Sequence, residues 1–117
     1  MKNRQFSERL VFAFSGIVAA WQGERSFRSQ FTLALMMLPV MLWLQPTLLW
    51  WGVMIMVGAL ILAAELFNTA LEQMIDHLHP EIHPNIKIAK DCAAGAVLLL
   101  SLAAIVVTGC MVFDTIG

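Results

Sequence analysis

The sequence predicts an all-α integral membrane protein, with an N-terminal amphipathic surface helix and three transmembrane helices. Three observations predict it. No Asp, Glu, Lys or Arg occurs between Arg28 and Glu65, or between Asp91 and Asp114. The chain is 60% hydrophobic and 13% charged, and a small domain has too much surface to hide that much apolar sequence from water. The first residues alternate apolar and polar at helical spacing, as a helix at an interface does.

With 117 residues the chain is read as a single domain, 1–117. Its net charge of −1 leaves no basic stripe for nucleic acid, so none is expected as a partner. Cys92 and Cys110 fall on one expected helix, about 27 Å apart along its axis, far beyond disulfide reach, and read as inert apolar residues.

The surface helix is expected over about residues 5–27. Phe6, Leu10, Val11, Phe14, Ile17, Val18 and Trp21 lie within roughly 140° of one face, opposite Glu8, Arg9, Ser15 and Gln22. Such a face suits a membrane surface or packing on the protein's own bundle. The segment does not read as a cleavable signal, since no compact apolar core precedes a small-residue cleavage site. Arg25 and Arg28 read as headgroup anchors, and Arg28 is placed to pair with Glu24.

The first span is expected over about 28–45, with a kink possible at Pro39. Gln45-Pro46-Thr47 reads as a tight turn, flanked by Trp43, Trp50 and Trp51 as at a membrane interface. The second span, about 47–77, is apolar to Ala64 and then continues helically. His77 to Asn85, with Pro80 and Pro84, reads as a loop. His77, His79 and His83 have a spacing a metal could use, but an interfacial loop is the plainer reading. The third span, about 86–114, carries Gly95 among alanines, which would let helices approach closely. The methionines read as packing.

Five of the seven cations lie in the first 28 residues, and the other two are Lys87 and Lys90. By the positive-inside rule the N-terminus and the loop before the third span are cytoplasmic and the C-terminus is outside. The polar stripe of the second span is therefore expected at the cytoplasmic face of a membrane.

The polar groups of the second span carry the functional signal. Glu65, Asn68, Glu72 and Asp76 fall at i, i+3, i+7 and i+11, at roughly 0°, −60°, −20° and +20° around a helix. A carboxylate inside a membrane helix costs about 2.5–3.5 kcal/mol on insertion scales, so three acids on one stripe point to use. Glu24 and Arg28, and Lys87, Lys90 and Asp91, converge on the same cytoplasmic boundary. Carboxylates with lysines suit a hard divalent cation and a polyphosphate, and a deeper carboxylate suits a general base for a lipid hydroxyl. No Walker motif or GxGxxG is present, so a nucleotide site would be built from helix faces. Taken alone, these residues leave three readings open: phosphoryl transfer, ion or proton translocation, and a structural bundle held by acid–lysine pairs.

Glu65-Leu-Phe-Asn68-Thr-Ala-Leu-Glu72, then Asp76, then Ala89-Lys90-Asp91-Cys-Ala-Ala-Gly95, resembles the prokaryotic diacylglycerol kinase family, which includes undecaprenol kinases. Gly16-Ile-Val-Ala-Ala-Trp-Gln-Gly-Glu24-Arg-Ser-Phe-Arg28 resembles that family's N-terminal motif. The resemblance implies a lipid kinase, a homotrimer with active sites shared between subunits, and MgATP. By position it implies Glu65 as the base, Glu24 and Glu72 as metal ligands, and Asn68, Glu72, Asp76, Lys90 and Asp91 as nucleotide-binding residues. The implied substrate is a lipid alcohol in the bilayer, diacylglycerol first and undecaprenol as the alternative. The competing class is a small ion-coupled carrier or a non-enzymatic bundle. The chain departs from the family pattern at Ala13, where a hydroxyl residue is frequent, and at Gln30, where some members are acidic.

Overall fold

In a computed structural model, residues 5–78, 81 and 83–117 are described. Their regular elements are four helices: α1 (Phe6–Gly23), α2 (Arg25–Leu44), α3 (Leu48–Leu78) and α4 (Pro84–Ile116). The last three are long and apolar enough to cross a membrane. The apolar part of α3, from Leu48 to Ala64, rises about 25 Å at 1.5 Å per residue. Against a hydrocarbon core of about 30 Å, Glu65 then falls near the edge of the apolar zone.

One residue separates α1 from α2. Gly23, a poor helix former, ends α1. Glu24 is extended (φ −120°, ψ 111°), its N–H bonded to the carbonyl of Ala20. The sequence places this corner near residue 27, but it falls at Glu24. The last carbonyls of a helix lack intrahelical donors, and here Arg28 supplies them. Its Nη1 donates to the Trp21 carbonyl at 2.7 Å and to that of Gln22 at 3.2 Å. The expected Arg28–Glu24 pair gives way to this arrangement because the cation meets the negative end of α1. Trp21 packs edge-on against Phe31 (centroids 5.4 Å apart), and Phe27 packs against Phe31 at 6.2 Å. Ala20 and Phe27 are each 2% exposed. Packing and the Arg28 clamp therefore fix the first turn of α2.

Helix α2 runs unbroken through Pro39. It stops at Gln45, which takes the left-handed conformation (φ 54°) and donates its N–H to the Met41 carbonyl at 2.8 Å, a C-terminal stop usually filled by Gly or Asn. Pro46 follows, and the Thr47 carbonyl accepts from the N–H groups of Trp50 and Trp51 to start α3.

Helices α3 and α4 make the most extensive interhelical contact, with polar groups at both ends. The Trp50 indole donates to Asp114 at 2.8 Å at one end, and Lys90 meets Asp76 at 2.6 Å at the other. Midway, the Gln30 amide of α2 donates to Ser101 of α4 at 3.2 Å. Helix α4 begins at Pro84, two residues before the expected Ile86. His83 caps it, its Nδ1 accepting from the Asn85 N–H at 3.1 Å, and a first-turn proline needs no such partner. His77 lies in the last turn of α3. His79 and Pro80 of the expected loop lie outside the described residues.

The chain buries little within itself. Among the described residues the buried apolar side chains are Ala20, Phe27, Met41, Ile61 and Met111. The radius of gyration is 17.1 Å, against about 13 Å for a compact domain of this length, and the molecule measures 52 × 38 × 23 Å. All seven apolar residues of the α1 face are exposed, so the protomer's own bundle does not cover that face. A Cβ added at Gly95 would meet nothing within 4 Å. The close helix approach expected there does not occur within this chain. Cys92 and Cys110 are free and exposed.

Candidate functional site

The site forms where the α1–α2 corner meets the upper half of α3. Glu65 is its deepest member, 2% exposed, and the one buried charged residue among those described. Its register on α3 repeats that of Ile61, a buried apolar residue one turn earlier, so the packed face of the helix carries Glu65 inward. Ser26, in the first turn of α2, donates its hydroxyl to Glu65 Oε1 at 3.2 Å. Thr69 Oγ1 bonds back to the main-chain carbonyl of Glu65 at 2.9 Å. The like charges that act on the Glu65 carboxylate are Glu24 and Glu72. The sequence-selected Glu65 thus lies within electrostatic reach of Glu24 and of Glu72.

Asn68 and Glu72 form the middle of the stripe. Asn68 Nδ2 reaches Glu72 Oε1 at 3.4 Å, a long bond. Asn68 Oδ1 is buried and has no hydrogen-bond partner. A buried acceptor without a donor costs free energy, so the site has an acceptor that a ligand's hydroxyl, amine, metal or metal-bound water would satisfy.

Asp76 lies about 16 Å further along α3 than Glu65. Its carboxylate binds Lys90 of α4 at 2.6 Å, and Lys87 binds Asp91 at 2.7 Å within α4. These pairs are solvent-accessible, and such pairs stabilise folds weakly. The lysines of the site therefore sit at its outer end, while the Glu65 carboxylate and the Ser26 hydroxyl occupy the inner end, beside Arg25 and Arg28 of the first turn of α2. That asymmetry suits a ligand whose anionic part enters along the stripe from outside.

Among the described residues, no three His, Cys, Asp or Glu side chains converge to hold a metal alone. A protein-only cage for a transition metal is not formed there. Mg²⁺ needs less: it commonly takes one or two carboxylates and completes its shell with water and substrate phosphate. Glu24 and Glu72, with the unpartnered Asn68 oxygen between Glu72 and Glu65 along α3, fit such a partial donor set.

The sequence reading passed over Ser26 and did not foresee the contacts of Arg28 and Gln30. Ser26 has no periodic signal, and its partner lies 39 residues away. Arg28 acts on backbone carbonyls. Gln30, noted only as a departure, ties α2 to α4. Below them an apolar groove of about 660 Å³ lies between α2, α3 and α4, with Phe31, Met37, Val57, Gly58, Ile61 and Ser101 among its walls. Ile61 places its upper end one helical turn below Glu65.

If the Asp76–Lys90 pair serves ligand binding rather than the fold, Lys90→Ala will leave the melting temperature near that of the parent protein. It will weaken binding of an anionic ligand about tenfold, the size of one lost charge-assisted contact. Equilibrium binding of a polyphosphate alongside a thermal melt in detergent checks this; a large drop in melting temperature with unchanged binding would make the pair structural.

Residues 11–113 match the family described as prokaryotic diacylglycerol kinase. Among curated relatives, a diacylglycerol kinase of Synechocystis sp. is 36% identical over 101 residues, covering 86% of this chain and 58% of that protein. One of Helicobacter pylori is 32% identical over 96 residues, covering 82% of this chain and 75% of the relative. One of Escherichia coli is 29% identical over 100 residues, covering 86% and 81%. The chain thus spans a little over half of the cyanobacterial relative and most of the other two.

Proposed function

This chain belongs to the prokaryotic diacylglycerol kinase family, and from that premise we propose that it transfers the γ-phosphoryl group of ATP to the hydroxyl of a membrane lipid, diacylglycerol, giving phosphatidic acid. The observation that carries the reading is Glu65. It is a buried carboxylate near the edge of the apolar zone, with acids beside it and cations at the outer end of the same stripe. The names of the relatives support diacylglycerol as the lipid.

The roles follow from position. Glu65 Oε2, not engaged by Ser26, accepts the proton of the lipid hydroxyl. The freed oxygen attacks the γ-phosphorus, a P–O bond forms to the lipid, and the bond to the β,γ-bridging oxygen breaks with its electron pair leaving on ADP. The proton passes later from Glu65 to water. Glu24 and Glu72 would hold Mg²⁺, which would neutralise charge developing on the phosphates. Asn68, Asp76, Lys90 and Asp91 hold the nucleotide, with its triphosphate running inward along α3. Catalysis of this kind rests on positioning and charge neutralisation rather than covalent chemistry. The groove below Glu65 offers an apolar wall for one chain of the lipid.

The protomer's wide exposed apolar surfaces and its shallow site suit self-association, and we assign a homotrimer with sites completed at subunit boundaries. The N-terminus and the site face the cytoplasm, where ATP is found, in the bacterial inner membrane.

Radiolabelled phosphate transfer from ATP in mixed micelles, with diacylglycerol and undecaprenol offered in parallel, tests the assignment. Label in phosphatidic acid is the expected result. Label in undecaprenyl phosphate alone would move the substrate to the isoprenoid alcohol. Label in neither lipid, from folded protein, would overturn the kinase reading and bring forward an ion-coupled carrier.

A further inference from the structure

We propose that Ser26 is a positioning residue for the transfer step: its hydroxyl holds one oxygen of Glu65 so that the other faces the lipid hydroxyl. The proposal rests on the reading of Glu65 as the base. Three observations support it. Ser26 Oγ lies 3.2 Å from Glu65 Oε1. The carboxylate has like charges, Glu24 and Glu72, as its charged neighbours, while Lys90 and Lys87 are engaged by Asp76 and Asp91. No cation is among the charged groups that act on Glu65, and repulsion from Glu24 and Glu72 does not by itself fix its aim. A neutral donor can hold the group without removing its charge.

The third observation is the rigidity of the element that carries Ser26. Phe27, the next residue, is buried against Phe31. Arg28, two residues on, is clamped to the carbonyls of Trp21 and Gln22. These contacts set the rotation of the first turn of α2, and with it the direction of the Ser26 hydroxyl. A side chain held at both flanks loses little further entropy when it makes its bond, and a base aimed in advance needs no reorganisation during the reaction. Oε1 is occupied by Ser26, so Oε2 is the oxygen left to take a proton.

The test compares the full-length protein with Ser26→Ala, Ser26→Thr, Glu65→Gln and the Ser26→Ala/Glu65→Gln pair, measuring kcat and both KM values for lipid phosphorylation. Ala is the best helix former, and the Ser26 side chain is exposed apart from its bond, so Ser26→Ala keeps the helix. The expected result is a kcat lowered about tenfold in Ser26→Ala, the scale of one hydrogen bond to a charged group. The ATP KM should be unchanged, and Ser26→Thr should recover most of the loss because it keeps the hydroxyl. The double variant should be no slower than Glu65→Gln alone, since a positioning residue has nothing to position once the base is gone.

A wild-type kcat in Ser26→Ala, with Glu65→Gln inactive, would overturn the role of Ser26 and leave the base reading standing. A loss in Ser26→Ala that threonine does not restore, or losses that multiply in the double variant, would overturn it likewise. Full activity in Glu65→Gln would instead remove the base on which the proposal rests.

Discussion

Glu65→Gln is expected to lower lipid phosphorylation by about 10²–10⁴-fold, the range typical for loss of a general base, while ATP still binds. The substitution keeps the size of the side chain and an oxygen that can accept from Ser26, so the packing around this 2% exposed position is retained. What it removes is the capacity to take a proton. Equilibrium binding of a fluorescent ATP analogue, run beside turnover in mixed micelles, separates the two properties. Loss of turnover with binding intact identifies Glu65 as the base. Retained turnover would transfer that role elsewhere. A collapse of both, with a lowered melting temperature, would mean that Glu65 serves the fold.

A purely structural role predicts a change in stability and little else at the same residue, and the surroundings of Glu65 argue against it. Burying a carboxylate without a cationic partner is expensive, and Glu65 has a neutral hydroxyl and two like charges around it. A residue kept only for the fold would be better replaced by an uncharged one. Glu65→Gln should therefore stabilise the protein slightly or leave it unchanged while abolishing activity, the trade seen where a site is kept for function at a cost in stability.

The readability of this chain follows the range of its interactions. The three spans were legible because membrane insertion imposes one long, local requirement on composition, and α2, α3 and α4 meet it. The Glu65–Asp76 stripe was legible because a helix puts i, i+3, i+7 and i+11 on one face whatever surrounds it. The α1–α2 corner was misplaced by a few residues, although Gly23 was a signal for it. The start of α4 was placed two residues late, although Pro84 suits a first helical turn. Contacts between distant segments were not legible. Ser26 and Glu65 are 39 residues apart, Gln30 and Ser101 are 71 apart, and neither pair leaves a periodic trace. Arg28 chose backbone carbonyls over the nearby Glu24 because the corner at Glu24 turns the end of α1 toward it, a geometry no residue pattern encodes.

Glu24→Gln and Glu72→Gln should each reduce turnover at low Mg²⁺ by at least the roughly 10–100-fold typical of disturbed metal surroundings, with part of the loss recovered as Mg²⁺ is raised. The two residues come from different elements, the α1–α2 corner and α3. A shared metal would join them, and its affinity would depend on the corner as well as on the span. Two ligands of one ion do not act independently, so the double variant should lose much less than the product of the single losses. Activity titrated against Mg²⁺ for the four proteins gives both results. The repulsion that both acids exert on Glu65 has an opposite sign of effect: relieving it should stabilise the metal-free protein, so each single variant should melt no lower than the parent without Mg²⁺. Metal should then raise the melting temperature of the parent more than that of either variant, because an ion that binds only the folded state stabilises it by mass action. Equal Mg²⁺ dependence in all four proteins would remove Glu24 and Glu72 as ligands and leave their charges with a purely electrostatic influence on the base.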